Sequence, residues 1–350
     1  MRYDAEYWSD VDKVLDRIPR RDKLSGCSVL ITGATGMIGS AVAELLFRMK
    51  EKGSDIELYL SGRNPEGLRS RFKGFEESNY YKYGHYDIEK PNPFFIAADY
   101  IVHAAGNANP AIYNLNPVET MLGNILGLNA LLDEARNTHP KNILYLSSSE
   151  VYGNRIDSET QTPYVENDYG YMDLLNPRAC YPSAKRAGET LGVSYSKEYG
   201  VPFVVVRPGH IYGPSITEKD NRATAQFTRL AVKSQDIIMK SAGLQLRSYC
   251  YTLDCASAIL TVLLNGINCE AYNISNRNSV VSIRQIAEAF ANESGCRIVY
   301  ENPSDEEIKS YNLMSNSSLN AEKLEKLGWE ACFNIADGVK KTIKYYDGQQ

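Results

Sequence analysis

The chain has 350 residues, a formal net charge of -5, and 43% hydrophobic and 23% charged residues, enough to bury one large α/β core or two joined lobes. An acidic balance without a long Lys/Arg run excludes a general nucleic-acid binder, and no stretch approaches the roughly 18 apolar residues of a membrane span. The seven cysteines are odd in number, scattered and without metal-ligand spacing, and the chain starts on polar residues without an apolar signal core; a reduced, cytoplasmic setting and no metal are expected.

Residues 1–25 carry charges and Trp8 and read as a helical lead-in. Ser28–Ile31 is an apolar run ending in glycines, the pattern of a buried parallel strand. From Ser40 to Met49 the period becomes helical, with Val42, Leu45, Leu46 and Met49 on one face. Strands are expected at 56–60, 100–103, 142–146 and 203–206, and helices at 117–136 and 181–199. This alternation predicts a Rossmann-type doubly wound parallel sheet, with ligands beyond the C-terminal ends of its strands. After Pro208 the pattern changes. The expected division is a lead-in over 1–25, a dinucleotide-binding domain over 26–208, and a smaller substrate-binding lobe over 209–350, interleaved with the main domain.

Gly33, Gly36 and Gly39 stand as GxxGxxG between the first strand and the following helix. Glycines there permit a tight turn and close approach to a pyrophosphate, and a helix N-terminus offers free N–H groups. At the end of the second strand the chain reads Ser61-Gly62-Arg63-Asn64. It has no carboxylate for a ribose 2′-OH, and Arg63 is either a 2′-phosphate contact or a solvated loop charge. NAD is the expected cofactor and NADP the alternative.

Tyr181 and Lys185 stand at i and i+4, on one helix face. A free tyrosine titrates near 10, so bringing it to 7 takes about 4 kcal/mol of preferential phenolate stabilisation. A cation about 5 Å away at an effective dielectric near 20 supplies about 3 kcal/mol, which casts Lys185, together with a positive cofactor ring, as the acidifying group, with desolvation opposing them. Ser147, Ser148 and Ser149 end the strand at 142–146, where a hydroxyl can hold a substrate oxygen.

The GxxGxxG turn, Tyr86-Asp87-Ile88, His103-Ala104-Ala105-Gly106 and the Tyr181/Lys185 pair together resemble the extended short-chain dehydrogenase/reductases of the NAD-dependent epimerase/dehydratase family. The resemblance implies that Gly33, Gly36, Met37, Ile38, Gly39, Arg63, Asp87, Ile88, Ala104, Ala105, Gly106, Tyr181, Lys185 and Pro208 contact the cofactor. It makes His103 structural and assigns the catalytic hydroxyl to Ser148. Asn176–Tyr181, Lys185–Thr190, Asn116–Thr120, Ser148–Gly153 and Gln245–Tyr249 are similar to segments of the UDP-glucuronate decarboxylase family. That similarity implies transient oxidation of a sugar at C4, with Ser149 and Glu150 assisting at a carboxylate and Asn107, Ser149, Glu150, His210 and Arg247 binding substrate. Glu150 and Arg247 also fit structural ion pairs or hydrogen bonds.

A 4,6-dehydratase is the first alternative. It typically carries Asp where this chain has Ser149. A 4-epimerase is the second and does not need Glu150; a non-catalytic dinucleotide sensor is the third. His210 stands where relatives commonly have Asn near the nucleotide diphosphate, which leaves room for another nucleotide sugar. Excess apolar positions on the helices at 117–136 and 178–199, by the same resemblance, predict a homodimer built on a four-helix bundle.

Overall fold

A computed structural model of the chain describes residues 3–89, 96–106, 108, 110–155, 162–217, 220–304 and 314–346, and in it the apolar runs become the strands of one parallel sheet. Helix α1 (Ala5–Leu15) is capped by the Asp4 side chain. Strand β1 (Cys27–Thr32) turns through the glycines into α2 (Met37–Glu51). Then come β2 (Ile56–Gly62), α3 (Pro65–Arg71), β3 (Lys82–His85), β4 (Tyr100–His103), α4 (Pro110–Leu115), α5 (Pro117–Thr138), β5 (Asn142–Leu146), α6 (Cys180–Tyr199) and β6 (Phe203–Pro208). The second half holds β7 (His210–Tyr212), α7 (Ala223–Val232), β8 (Ile237–Met239), β9 (Leu246–Tyr251), α8 (Thr252–Asn265), β10 (Ala271–Ile274), β11 (Val280–Ser282), α9 (Ile283–Ser294), β12 (Ile298–Tyr300), β13 (Asn316–Ser317), α10 (Glu322–Glu325) and α11 (Ile335–Tyr345).

The main sheet has seven strands in the order β10-β6-β5-β4-β1-β2-β3, and every pair in it is parallel. The order reverses between β1 and β4, and the crevice at such a reversal is where a doubly wound sheet binds its ligand. Side chains alternate across each strand. Val29, Ile31, Val102, Leu144, Val204 and Val206 join the core formed with α2 and α8. Leu30, Ile101, Ile143, Tyr145, Phe203 and Val205 join the core formed with α5 and α6. Burial on both faces explains why these strands are continuous apolar runs rather than alternating ones.

Residues 209–350 serve both bodies. Strand β10 pairs with β6 at the edge of the main sheet, and α8 is buried from Thr252 to Leu264. At the start of α8 the buried Asp254 accepts from the amides of Cys332 (2.7 Å) and Phe333 (3.0 Å), while burial pushes its carboxyl up to about 7. The smaller lobe is built on β9, which pairs with β7, β11 and β13. The register of β7 on β9 sets His210 beside Tyr249. Among the described residues no helix is long and apolar enough to cross a membrane.

Helix α6 lies unusually close to the sheet because two glycines face it. A Cβ on Gly192 would sit 2.0 Å from the Phe203 ring, and one on Gly188 would sit 2.5 Å from the Tyr145 hydroxyl. Replacing Gly192 with Ala is therefore expected to destabilise the protein by about 1–3 kcal/mol through overpacking, read as a lower urea midpoint with an unchanged slope.

Candidate active site

The cradle at the sheet reversal is built from backbone. Gly33 has φ +68°, and a Cβ there would lie 2.7 Å from the carbonyl oxygen of Ala104 and from Ala105; a Cβ on Gly39 would lie 2.5 Å from the Gly33 carbonyl oxygen. Helix α2 starts at Met37 and Ile38 after Gly36, with no side-chain cap and no acidic residue in its first turn. Its N-terminal field and amides are left for an anion. This fits the pyrophosphate of a dinucleotide. The end of β4 is fixed to β1: the Ala105 amide donates to Thr32 Oγ1 (3.2 Å), which lies 2.9 Å from His103 Nδ1. Burial, with a smaller contribution from Lys185, pushes His103 down to about 3, so the ring is neutral and holds its place by this contact with the Thr32 hydroxyl.

The outer cradle residues are placed less closely. Arg63 is exposed at the end of β2 and lies 3.7 Å from Glu89. Asp87 accepts from the Glu89 amide at 3.1 Å. Ile88 lies against α5, 3.3 Å from where a Gly123 Cβ would stand and 2.8 Å from a Gly127 Cβ. Pro208 ends β6 opposite Ile274. Asn107 falls outside the described residues.

The first turns of α6 bring Tyr181 and Lys185 under this cradle. The Lys185 ammonium donates to the Leu146 carbonyl at 2.8 Å, lies 5.8 Å from the Tyr181 ring centre, and is 3.3 Å from where a Gly106 Cβ would stand. Tyr113 of α4 stacks flat on Tyr181, with centroids 4.5 Å apart and planes 8° from parallel. Ser148 caps the short 3-10 turn Ser149–Tyr152 by accepting from the Glu150 amide at 3.2 Å. Ser149 is buried at the start of that turn.

Two opposing effects act on the Tyr181 and Lys185 pair. Burial first, and Glu150 second, push the Tyr181 phenol up to about 12; hydrogen bonds from the Ser148 and Tyr113 hydroxyls and the charge of Arg222 pull the other way. Lys185 is itself pushed down to about 7 by burial. Desolvation thus penalises the Lys185 ammonium as well as the Tyr181 phenolate.

Behind the site, Arg207 of β6 grips Glu189 of α6 with two hydrogen bonds of 2.9 and 2.6 Å. Ser147 donates to the same carboxylate at 2.5 Å, and Arg207 also reaches the Tyr152 hydroxyl (3.2 Å) and the Glu166 carbonyl (2.8 Å). Ser147 is thus a structural member of the serine run. Glu150 forms an ion pair with Arg178 at 2.9 Å, and Arg178 in turn lies 5.0 Å over the Tyr113 ring. Arg247 is 3% exposed; its Nη1 donates to the Leu246 carbonyl at 2.8 Å, and no carboxylate among the described residues pairs with it. Arg222, which precedes α7, pairs with Asp220 at 2.5 Å and touches Met37 Sδ at 3.7 Å.

Three of these residues escaped the sequence reading. Arg178 was legible in principle, since it stands one turn before Tyr181 and answers what neutralises Glu150. Tyr113 and Arg222 reach the site through the tertiary path of α4 and α7, and no local pattern marks them.

The model of the NAD dependent epimerase/dehydratase family matches residues 29–275. The chain is 27% identical to UDP-glucuronic acid decarboxylase 1 of Xenopus tropicalis over 91% of its own length and 72% of that protein. It is 26% identical to UDP-glucuronic acid decarboxylase 6 of Arabidopsis thaliana over 90% of its length and 87% of that protein. Among solved structures, UDP-glucuronic acid 4-epimerase from Bacillus cereus, in complex with UDP-glucuronic acid and NAD, superposes with a TM-score of 0.76 at 20% identity, covering 92% of this chain and 100% of that one.

Glu150 holds the phenol of Tyr181 up, so removing its charge favours the phenolate. Glu150→Gln is expected to move the acid limb of the pH–kcat/KM profile to lower pH by about 0.5–1, whereas Glu150→Asp, which keeps the charge, leaves the limb in place.

Proposed function

The chain belongs to the NAD-dependent epimerase/dehydratase family, and from that premise we propose that it is a nucleotide-sugar enzyme working through transient oxidation at C4, with UDP-glucuronate decarboxylation as its reaction. NAD is the cofactor in this reading: the glycine cradle suits its pyrophosphate, and Arg63 faces Glu89 rather than standing free for a 2′-phosphate. When bound, NAD⁺ supplies the acceptor for the C4 hydrogen and later returns it.

The protein's own part is proton handling and orientation. Tyr181 takes the proton of the C4 hydroxyl while Ser148 holds that oxygen. Tyr113 and Ser148 stabilise the developing phenolate by hydrogen bonding, and Lys185, anchored on the Leu146 carbonyl, adds its partial charge. Once C4 is a ketone, the C6 carboxylate is β to it. The C5–C6 electrons can then flow to the ketone oxygen as carbon dioxide leaves; the enolate so formed takes a proton at C5 from water, which restores the C4 ketone, and Tyr181 gives its proton back as that ketone is reduced to the alcohol.

The observation that carries the decarboxylase reading is the Glu150–Arg178 pair beside Tyr113 and Tyr181. Arg178 offers a sugar carboxylate a guanidinium partner, and Glu150 holds that guanidinium in place. A 4,6-dehydratase needs an acid where Ser149 stands, and a 4-epimerase of neutral sugars has no use for this pair; the pair supports an acidic nucleotide sugar, and product mass separates its decarboxylation from its 4-epimerisation. The deciding experiment incubates the protein with NAD⁺ and UDP-glucuronate and follows product mass. Loss of carbon dioxide supports the reading; an isomer of unchanged mass makes the protein an epimerase, and turnover confined to neutral nucleotide hexoses with loss of water makes it a dehydratase. Arg178→Met and Arg178→Lys are expected to raise the KM for UDP-glucuronate about tenfold or more, about 1.4 kcal/mol, with UDP-glucose affinity changed less than about threefold.

The assembly in this reading is a homodimer. Val118, Met121, Leu122 and Leu126 of α5 and Val193 of α6 remain exposed on two helices that pack side by side, an apolar face of the kind that marks an interface. Light scattering at micromolar concentration should give twice the chain mass of 39.2 kDa, and Leu122→Glu with Leu126→Glu should halve it.

A further inference from the structure

We propose that His210 is neutral in the free protein and takes up a proton when the diphosphate of a nucleotide sugar binds, coupling substrate affinity to pH through this one ring. The proposal rests on the nucleotide-sugar reading above and asks what this chain does with a histidine at that place. His210 sits in β7 opposite Tyr249, ring centroids 5.7 Å apart. Its Nδ1 is buried and has no hydrogen-bond partner among the described residues. A buried ring nitrogen left unpaired is costly and marks a group waiting for a ligand atom.

The groups around the ring are positive or already engaged. From β9 comes Arg247, 3% exposed and without a carboxylate partner among the described residues, and Tyr249, whose phenol burial keeps neutral. From the start of α7 comes Arg222, with Asp220 committed to it. Helix α8, also packed on β7, brings Asp254, whose oxygens are taken by the Cys332 and Phe333 amides. Burial first, then Arg247 and Arg222, hold His210 down to about 3. The charge of Arg247, buried without a carboxylate partner among the described residues, favours an anion beside it.

A diphosphate entering here reverses the field at the ring. One unit charge about 5 Å away, at an effective dielectric near 20, moves a pKa by about two, so two phosphate charges bring His210 close to neutral pH. The bound state then holds more protons than the free state, so affinity rises as pH falls through the bound value and levels off above it. An asparagine at this place donates a hydrogen bond without charge and gives no such linkage.

The test is titration calorimetry on the protein with NAD, using UDP-glucose, a diphosphate diester with no group titrating between about pH 6 and 8. It is run in buffers of different ionisation enthalpy. The expected result is uptake of about half a proton or more per ligand at pH 7, affinity several-fold tighter at pH 6 than at pH 8, and loss of both effects in His210→Asn and His210→Gln. With four histidines in the chain, ring-carbon NMR of the wild type against His210→Asn reads the protonation directly. Binding whose heat does not depend on buffer, or uptake that survives in both variants, overturns this proposal and leaves the nucleotide-sugar reading standing. No binding of UDP-, dTDP- or CDP-glucose or GDP-mannose overturns both.

Discussion

The buried ion pair between Arg207 and Glu189 is the interaction on which the site depends. It joins the last central strand to the helix that carries Tyr181 and Lys185, and it draws in Ser147 from the neighbouring strand end and the Glu166 carbonyl from the loop beyond. Glu189 stands one helical turn after Lys185, as Lys185 stands one turn after Tyr181, so fixing the carboxylate fixes the rotation of the whole face. A pair this deep stabilises little relative to an apolar filling, but losing one partner leaves the other charge stranded at about 3–5 kcal/mol. Geometry is what the pair provides, and the glycines that let α6 approach the sheet make the same demand from the other side.

Charge in the cleft pulls in two directions. Glu150 and the desolvation of the phenol hold Tyr181 protonated, while Arg178 pairs with Glu150, Arg222 pairs with Asp220, and Arg247 has no carboxylate partner among the described residues. Ser148 and Tyr113 lower the phenol by hydrogen bonding, against the burial that raises it.

Much of this was legible in the sequence because it is written locally. The central residues of the runs at 28–31, 100–103, 142–146 and 203–206 are buried on both faces and so are apolar, and the glycine turn and the Tyr181/Lys185 spacing are short-range patterns. The remainder is written in the tertiary path. Tyr113 reaches Tyr181 only because α4 folds back over α6, and Arg222 enters from a segment without periodicity of its own. The spacing places Lys185 near Tyr181 with desolvation opposing its charge, and the structure sets its ammonium 5.8 Å from the Tyr181 ring centre. Ile88, assigned to the cofactor by resemblance, also fills the space left by Gly123 and Gly127.

Strand β10 closes the main sheet with residues made after β7 and β9 have already committed to the smaller lobe. Its Asn273 accepts from the Tyr152 hydroxyl and donates to the carbonyls of Tyr164 and Asn320. The dinucleotide half is therefore topologically unfinished until most of the polypeptide has left the ribosome, and its exposed edge on β6 must be kept from foreign pairing in the meantime. Through β10 and Asn273 the smaller lobe and the main sheet are completed by the same late stretch of chain.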